Sequence, residues 1–358
     1  MTYPLVSVCL PNLNTLPFLP ERIDSILAQT YRHWELVVSD NYSEDGAWPF
    51  FEALAARDHR VVIEQTPREG MYANWNRCIH RARGEFVYIA TSDDTMAPDC
   101  LEKLVGALSA RPDCDVAHCR LRVIDEKGND RPDWWSTASI FAGSSGTLLG
   151  RRHVRIAPFD GILHLLGESV YISITQLLIR RSLFDRVGMF ESMWGSAGDF
   201  NWNMRATLVA NTVHVPDTWG GWRVHALQAT AGACIGSAEH AAKIDAMIEH
   251  AIRATGDRLP AGVRRCLEPE WVCFGKEFRV FAREIASRSN PFARRAYVLK
   301  RALEGSRPAR VHLKASLLRR SFADWVRGWL QQAGVSPVLV PTDVDQAVTM
   351  TRCLATHQ

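Results

Sequence analysis

The first 120 residues alternate between short apolar runs rich in β-branched side chains and stretches whose apolar residues recur every three or four positions. Residues 5–10 (LVSVCL) read as a buried strand ending at Pro11-Asn12, and Ile23, Ile26 and Leu27 then keep helical spacing. Strands are expected at 34–39, 61–63, 86–90 and 116–119. Helices are expected around Phe50, Phe51 and Leu54, over 72–82 and over 101–108. Such alternation specifies an α/β fold, a doubly wound and mostly parallel sheet flanked by helices. These sheets bind ligands beyond the carboxyl ends of their strands, where the strand order reverses. The residues that follow each strand are therefore the ones to inspect.

They are polar in all three informative cases: Pro11-Asn12-Leu13-Asn14, Asp40-Asn41-Tyr42-Ser43-Glu44-Asp45 and Ser92-Asp93-Asp94. Two adjacent carboxylates after a buried strand repel each other unless a cation sits between them and a ligand. Mg²⁺ and Mn²⁺ take one or two carboxylates and leave their other positions to water and phosphate oxygens, which suits a nucleoside diphosphate. The same residues also fit an acidic loop in which Asp94 caps a helix beginning near Pro98. Asp40-Asn41-x-Ser43-x-Asp45 fits ordinary turn capping, or a carboxylate that accepts from a nucleobase or ribose.

Composition narrows the class. With 358 residues, 47% hydrophobic, and a net charge of +3, the chain is long enough for about two domains and too apolar for disorder. No apolar run reaches the roughly 18 residues of a bilayer span, and the N-terminus does not read as a signal peptide. The nine cysteines are odd in number and show no metal-knuckle spacing, so a reducing cytoplasm is expected.

Taken in order, the motifs resemble a known family. Pro11-x-x-Asn14 is followed by Gln29-Thr30-Tyr31-x-x-Trp34-Glu35-Leu36-Val37-Val38, then by the Asp40 motif and Asn74-Trp75-Asn76-Arg77. Ala82-x-Gly84-Glu85 then leads into Ser92-Asp93-Asp94. Residues 4 to about 120 resemble the nucleotide-binding half of family 2 glycosyltransferases, inverting enzymes of GT-A fold that use a sugar nucleotide and a divalent cation. The resemblance implies that Pro11, Asn14, Asp40, Asn41, Arg77 and Asp93 bind the nucleotide, with Asp40 on the base. It implies that Asp94 holds Mn²⁺ or Mg²⁺. Many members carry an earlier Asp where this chain has Thr91, which shifts the metal toward Asp94.

In the second half, Gly195-Ser196-Ala197-Gly198-Asp199-Phe200-Asn201-Trp202 resembles the segment that holds the family's catalytic base. Asp199 would be that base, with Gly198 where related chains often have Glu. Asp is also a good helix cap, so a purely structural role stands beside this one. Trp222-Arg223-Val224-His225-x-x-Gln228-x-Thr230 resembles the stretch in which relatives offer a metal-binding histidine, here His225. His33, His59, His80, His118 and His164 read as surface or structural. A polymerising synthase would carry Gln-x-x-Arg-Trp and membrane spans; this chain has neither, so single addition is implied. A sugar nucleotidyltransferase would need a Gly-rich basic loop after the first strand, and an inactive scaffold would explain Thr91 and Gly198.

Three regions follow from these expectations: a GT-A domain over 1–235 (nucleotide half 1–120, acceptor half 121–235), a basic helical region over 236–335, and a tail over 336–358. An excursion without period, rich in Gly, Ser, Pro and Trp, covers 126–165, and with 171–176 it is expected to shape the acceptor pocket. Strands are expected at 171–179 and 212–215, and helices at 181–187 and 202–209. Residues 276–327 carry fourteen Lys or Arg against four acidic residues. Over 311–330, Val311, Leu318, Phe322, Trp325 and Trp329 share one helical face. Such a helix suits either packing onto the catalytic domain or peripheral contact with an anionic membrane bearing a lipid-linked acceptor. A nucleoside diphosphate sugar donor and a saccharide or lipid-linked acceptor are the implied partners; no nucleic-acid module accompanies the charge.

Overall fold

The computed structural model describes residues 3–132, 149–165, 169–226, 228, 238–259, 261, 263–264, 277, 280–281, 284–285, 287–288, 290–317, 328, 331 and 338–339. Strands β1 (Val6–Asn12) and β2 (Trp34–Asp40) are buried along their whole length. They pair in parallel from Val6 opposite Trp34 to Asn12 opposite Asp40. β3 (Val61–Gln65) joins β2 in parallel, and β4 (Phe86–Ile89) joins the other edge of β1 in parallel. Strands covered on both faces need apolar residues at successive positions, which is why these runs do not alternate with polar residues.

The two faces separate by parity. Cys9, Val37, Val87 and Ile89 point into one core with Tyr72, Trp75, Cys78 and Ile79 of helix α3 (Met71–Arg81). Val8, Leu10, Leu36, Val38, Phe86 and Tyr88 point into the other. That second face is covered by α1 (Leu19–Leu27), α2 (Ala47–Ala55) and α4 (Cys100–Ala110).

At the amino edge of the sheet, the Glu35 carboxylate accepts from Ser7 Oγ (2.6 Å), Arg83 N (2.8 Å) and Arg83 Nε (2.8 Å). Gly84 N in turn donates to Ser7 Oγ at 2.8 Å. A Cβ on Gly84 would lie 2.6 Å from the Leu5 carbonyl oxygen and 2.7 Å from Ser7 N. The Ala82-x-Gly84-Glu85 segment is thus the turn that lets β4 lie against β1.

The second half makes the sheet mixed. The order across ten strands is β10 (Val338–Leu339), β7 (His153–Arg155), β9 (Thr212–Arg223), β6 (Val116–Ile124), β8 (Leu177–Arg180), β4, β1, β2 and β3, with the short β5 (Thr95–Met96) also on β9. β6 (Val116–Ile124) and β9 (Thr212–Arg223) are parallel and both longer than the sequence implies, with a bulge between Cys119 and Arg120. β8 (Leu177–Arg180) inserts antiparallel between β4 and β6. The strand expected at 171–179 is therefore only its last part. Ile174–Gln176 is a 3₁₀ turn whose capping box joins Ser173 and Gln176.

The unpatterned region hides β7 (His153–Arg155) and α5 (Phe159–Leu165). Its stretch 133–148, including Trp134 and Gly143, lies outside the described residues. Helices α6 (Ser182–Val187) and α7 (Gly198–Val209) follow. Helix α8 (Ala238–Thr255) puts Ile244, Met247, Ile248 and Ala251 into the same core as Trp202, so the stretch just after residue 235 packs with the acceptor half. Helices α9 (Pro291–Leu303) and α10 (Arg307–Leu317) build a separate small cluster around Val298, Ala302 and Ala309. The face expected at 311–330 lies largely beyond the described residues, as does the tail apart from β10 (Val338–Leu339). Among the described residues, no helix is long and apolar enough to cross a membrane.

Candidate active site

The carboxyl ends of β1, β2 and β4 lie side by side, and each delivers one predicted group to the same edge. Asn12 Nδ2 donates to Asp40 Oδ1 at 2.7 Å and to Ser43 Oγ at 3.0 Å. Ser43 N and Oγ both donate back to Asp40 (2.9 and 2.5 Å). Asp40 is fully buried, so its carboxylate shapes the loop as well as lying at the edge. Asn41 Nδ2 donates to Thr66 Oγ1 (2.9 Å) and to the Pro67 carbonyl (3.1 Å). Asn14 sits in the left-handed region (φ +53°) and accepts from Glu44 N at 2.8 Å. Pro11 lies within β1 opposite Ser39.

Beyond β4 the two adjacent carboxylates face different ways. Asp94 is buried; its Oδ1 accepts from Arg223 N at 2.8 Å and its Oδ2 from the Thr91 hydroxyl. Burial, with the Asp93 charge beside it, pushes the Asp94 carboxyl up to about 7. Asp93 points outward and meets His225 Nε2 at 2.9 Å. That hydrogen bond raises the proton affinity of the imidazole.

Arg223 is the hub of this corner. Its Nε donates to the Asp93 carbonyl (2.7 Å), its Nη1 to the Asp125 and Glu126 carbonyls (3.0 and 3.1 Å), and its Nη2 to Glu21 (2.5 Å). The Phe18 ring closes over His225 with centroids 4.7 Å apart. Thr91, where many family members carry Asp, thus donates to Asp94 and does not add charge.

Asp199 opens α7. Its Oδ1 accepts from the Tyr72 hydroxyl (3.0 Å) and from Phe200 N (2.8 Å). Loss of hydration raises its proton affinity, and these hydrogen bonds hold the rise in check. Tyr72 lies in the first turn of α3. That helix runs back along the strands, so its start is at the carboxyl edge, and Asn74 Nδ2 donates to the Asn12 carbonyl there (3.3 Å). Asn76 clamps the 190 segment to α3 through Phe190 N (3.1 Å) and O (2.8 Å). A Cβ at Gly198 would lie 2.5 Å from the Tyr72 ring, so the side chain expected there from relatives is replaced by Tyr72 itself.

Arg77, on the same helix, pairs with Glu69 at 2.5 Å and is about a third exposed. Tyr171 and Gln176, expected in the acceptor pocket, are buried instead. Tyr171 meets Thr212 Oγ1 at 2.5 Å, and Gln176 accepts from Ile172 N at 3.0 Å. His118 and His164 are buried, as a structural role requires.

The edge therefore gathers Asp40, Asn12, Asp93 and His225, while α3 links it to Asp199. Residues 7–188 match the family described as Glycosyl transferase family 2. This chain belongs to that family. Among curated relatives, the Bacillus subtilis (strain 168) protein EpsE is 33% identical over 127 residues, covering 35% of this chain and 46% of EpsE. Glycosyltransferase GlyG of Streptococcus pneumoniae serotype 4 is 34% identical over 113 residues, covering 31% and 37%. The chain spans less than half the length of the first relatives it matches.

Among solved structures, S. aureus TarS 1–349 in complex with UDP-GlcNAc superposes with a TM-score of 0.58 at 17% identity, over 77% of this chain and 72% of that one. The mannosyltransferase PcManGT from Pyrobaculum calidifontis in complex with GDP-Man and Mn²⁺ gives 0.52 at 20% identity, over 98% and 87%. These likenesses support the GT-A fold expected from the motifs.

Sequence reasoning missed Tyr72 and Arg223 as parts of this family 2 site. Tyr72 opens a helix already expected, and Arg223 follows Trp222 in a quoted motif, so both were visible only as neighbours of other signals. Among the described residues, no group of three or more His, Cys, Asp and Glu side chains is placed to hold an ion. Asp93 and His225 still fit one. Asp93 Oδ2 and His225 Nε2 lie 2.9 Å apart, an oxygen and an imidazole nitrogen of the kinds such an ion takes, and a diphosphate would supply the remaining oxygens.

Proposed function

We propose that this chain is an inverting, single-addition glycosyltransferase. It moves one sugar from a nucleoside diphosphate sugar to an acceptor hydroxyl, in the assembly of bacterial-type surface glycans or glycolipids. The observation that carries the reading is the arrangement at one sheet edge. A carboxylate–imidazole pair, Asp93 with His225, stands at the strand ends, and Asp199 is held on the neighbouring helix start by Tyr72. The UDP-GlcNAc and GDP-Man bound to the two structural neighbours support a nucleotide sugar as donor.

Asp40, Asn41, Asn14 and Pro11 form the nucleotide cradle, with Asp40 held rigid by Asn12 and Ser43. Arg77, paired with Glu69 on the helix that Tyr72 opens, is the guanidinium assigned to phosphate oxygens, which such a group pairs well. Asp93, Asp94 and His225 would hold a divalent cation, Mn²⁺ or Mg²⁺, with Arg223 bracing the backbone of Asp93 and the side chain of Asp94. Asp94, the ligand the resemblance implies, is buried behind Asp93 and accepts from Arg223 N and the Thr91 hydroxyl, and we add Asp93 beside it as the more exposed of the two carboxylates. Such a cation supplies charge stabilisation for a departing diphosphate.

Asp199 takes the proton from the acceptor hydroxyl as that oxygen attacks the anomeric carbon and the bond to the diphosphate breaks on the opposite face. Tyr72 occupies Oδ1 and leaves Oδ2 for the proton. Burial makes the carboxylate a stronger base than a solvated Asp.

The test is a thermal-shift series with nucleoside diphosphates and their sugars, with and without Mn²⁺, followed by a turnover assay. Asp199→Asn should keep nucleotide stabilisation and lose transfer, whereas Asp93→Asn should lose the Mn²⁺-dependent part of the stabilisation. Full turnover by Asp199→Asn refutes the base assignment, and stabilisation that ignores Mn²⁺ in the unaltered protein refutes the cation.

A further inference from the structure

Helix α9 is firmly bounded at both ends. Asn290 caps it, its Oδ1 accepting from Phe292 N at 2.8 Å, and Pro291 opens the first turn. Gly305, at φ +93°, ends it, with Gly305 N donating to the Ala302 carbonyl (3.2 Å) and Ser306 N to the Arg301 carbonyl (2.9 Å). The inner face, Val298 and Ala302, packs with Phe281 and with Ala309 of α10. Three large apolar side chains point away from that cluster: Phe292 is 79% exposed, Leu299 49% and Leu303 86%. Their spacing puts them within about 20° of one line along the helix, and that line is roughly 16 Å long. Single exposed apolar side chains are ordinary on a protein surface, but an aligned set marks a contact.

The stripe runs between cations. Arg295 and Lys300, both exposed, flank it on opposite sides at about 60° and 80° around the helix. Over residues 290–317 seven Lys or Arg stand against one acidic residue, Glu304. Glu304 meets Arg301 at 2.9 Å and Lys300 at 3.8 Å. Exposed pairs of this kind are weak and leave the surface positive.

We propose that this face of α9 docks the chain on the surface of a bilayer containing anionic phospholipid. Phe292, Leu299 and Leu303 enter the boundary between headgroups and acyl chains, and the flanking cations lie among anionic headgroups. Charge complementarity selects this partner over the others. A second copy would set the same cations against its own. A groove that wraps an amphipathic helix takes more than one of its faces, and the Val298–Ala302 face is already buried. A nucleic acid would answer the charge and leave the apolar stripe in water. The proposal goes beyond the transfer reading and does not depend on it.

The experiment is co-sedimentation of the full chain with phosphatidylcholine vesicles and with vesicles in which a quarter of the lipid is phosphatidylglycerol. Partitioning onto the anionic vesicles should be at least about tenfold stronger. It should fall at least about tenfold when salt is raised from about 0.1 to about 0.5 M. The double variant Phe292→Gln/Leu303→Gln keeps every charge and alters only exposed positions; it should retain the melting temperature and lose about tenfold or more of the binding. Absent partitioning, or equal partitioning onto the two kinds of vesicle, overturns the proposal. So does a double variant that binds as well as the unaltered protein, because charge alone would then hold the chain. A dimer seen by sedimentation velocity without lipid, and dispersed by the same variant, also overturns it and makes the stripe a contact between copies. The assay needs neither nucleotide nor turnover, so failure of the transfer reading leaves its outcome intact.

Discussion

Replacing Tyr72 by Phe isolates one atom of the proposed mechanism. The ring is wedged against Trp75 (centroids 5.0 Å apart) and Phe190 (5.8 Å) and fills the space over Gly198. Phe keeps those contacts and removes only the hydroxyl, which donates to Asp199 Oδ1 at 3.0 Å. A hydrogen bond to a charged partner is worth about 1.5–3 kcal/mol. Its loss falls on the ionised form of Asp199, so proton affinity rises further above the ordinary carboxylate range, in the direction burial already drives it.

On the acid side of the rate profile, turnover is proportional to the ionised fraction. It should therefore drop by roughly ten- to a hundredfold, since about 1.4 kcal/mol is a factor of ten. Above the limb the carboxylate is fully ionised in both proteins and the rates should converge. The assay is the pH dependence of sugar transfer, or of sugar-nucleotide hydrolysis, for Tyr72→Phe beside the unaltered protein. An acid limb that stays in place while the variant remains folded and active refutes Tyr72 as the group that tunes Asp199. A uniform loss at every pH points instead to a displaced helix start.

Three further outcomes follow from the packing. Gly84→Ala places a methyl between backbone atoms of Leu5 and Ser7 that cannot move aside; it should destabilise the fold by about 2 kcal/mol or more in denaturant titration. Gly198→Ala meets the Tyr72 ring and should lower transfer more than nucleotide binding, measured as kcat against the nucleotide's Kd. Glu35 is held below its ordinary 4.5 by its hydrogen bonds with Ser7 and Arg83, although its burial works the other way. Its folded-state value lies below the unfolded one, so its stabilisation is present above about pH 4.5 and is lost as pH falls through the folded value. Glu35→Gln should flatten the acid end of the stability–pH curve, checked by melting temperature at successive pH values.

The nucleotide half was legible because its strands are buried on both faces and its helices on one, so each period appears undiluted in the sequence. β1, β2, β4 and α3 fall within a few residues of expectation. The second half was harder for a physical reason. β7 is three residues long, β5 is two, and α5 is buried on every side, so none displays an amphipathic pattern. The extension of β9 through Pro216-Asp217 depends on its pairing beyond a bulge, which is a tertiary fact.

The site shows the same division at the level of single side chains. Adjacent carboxylates are visible in a sequence, but which of the two faces outward is decided by the backbone N–H of Arg223, 129 positions away. Thr91 explains why that inversion is stable. An Asp at 91 would put a third carboxylate beside one whose burial and Asp93 neighbour already disfavour its charge. A hydroxyl there donates to it instead. The departure at 91 and the inward turn of Asp94 are thus one arrangement. They leave Asp93 as the carboxylate that meets His225, just as the missing side chain at Gly198 leaves the room in which Tyr72 reaches Asp199.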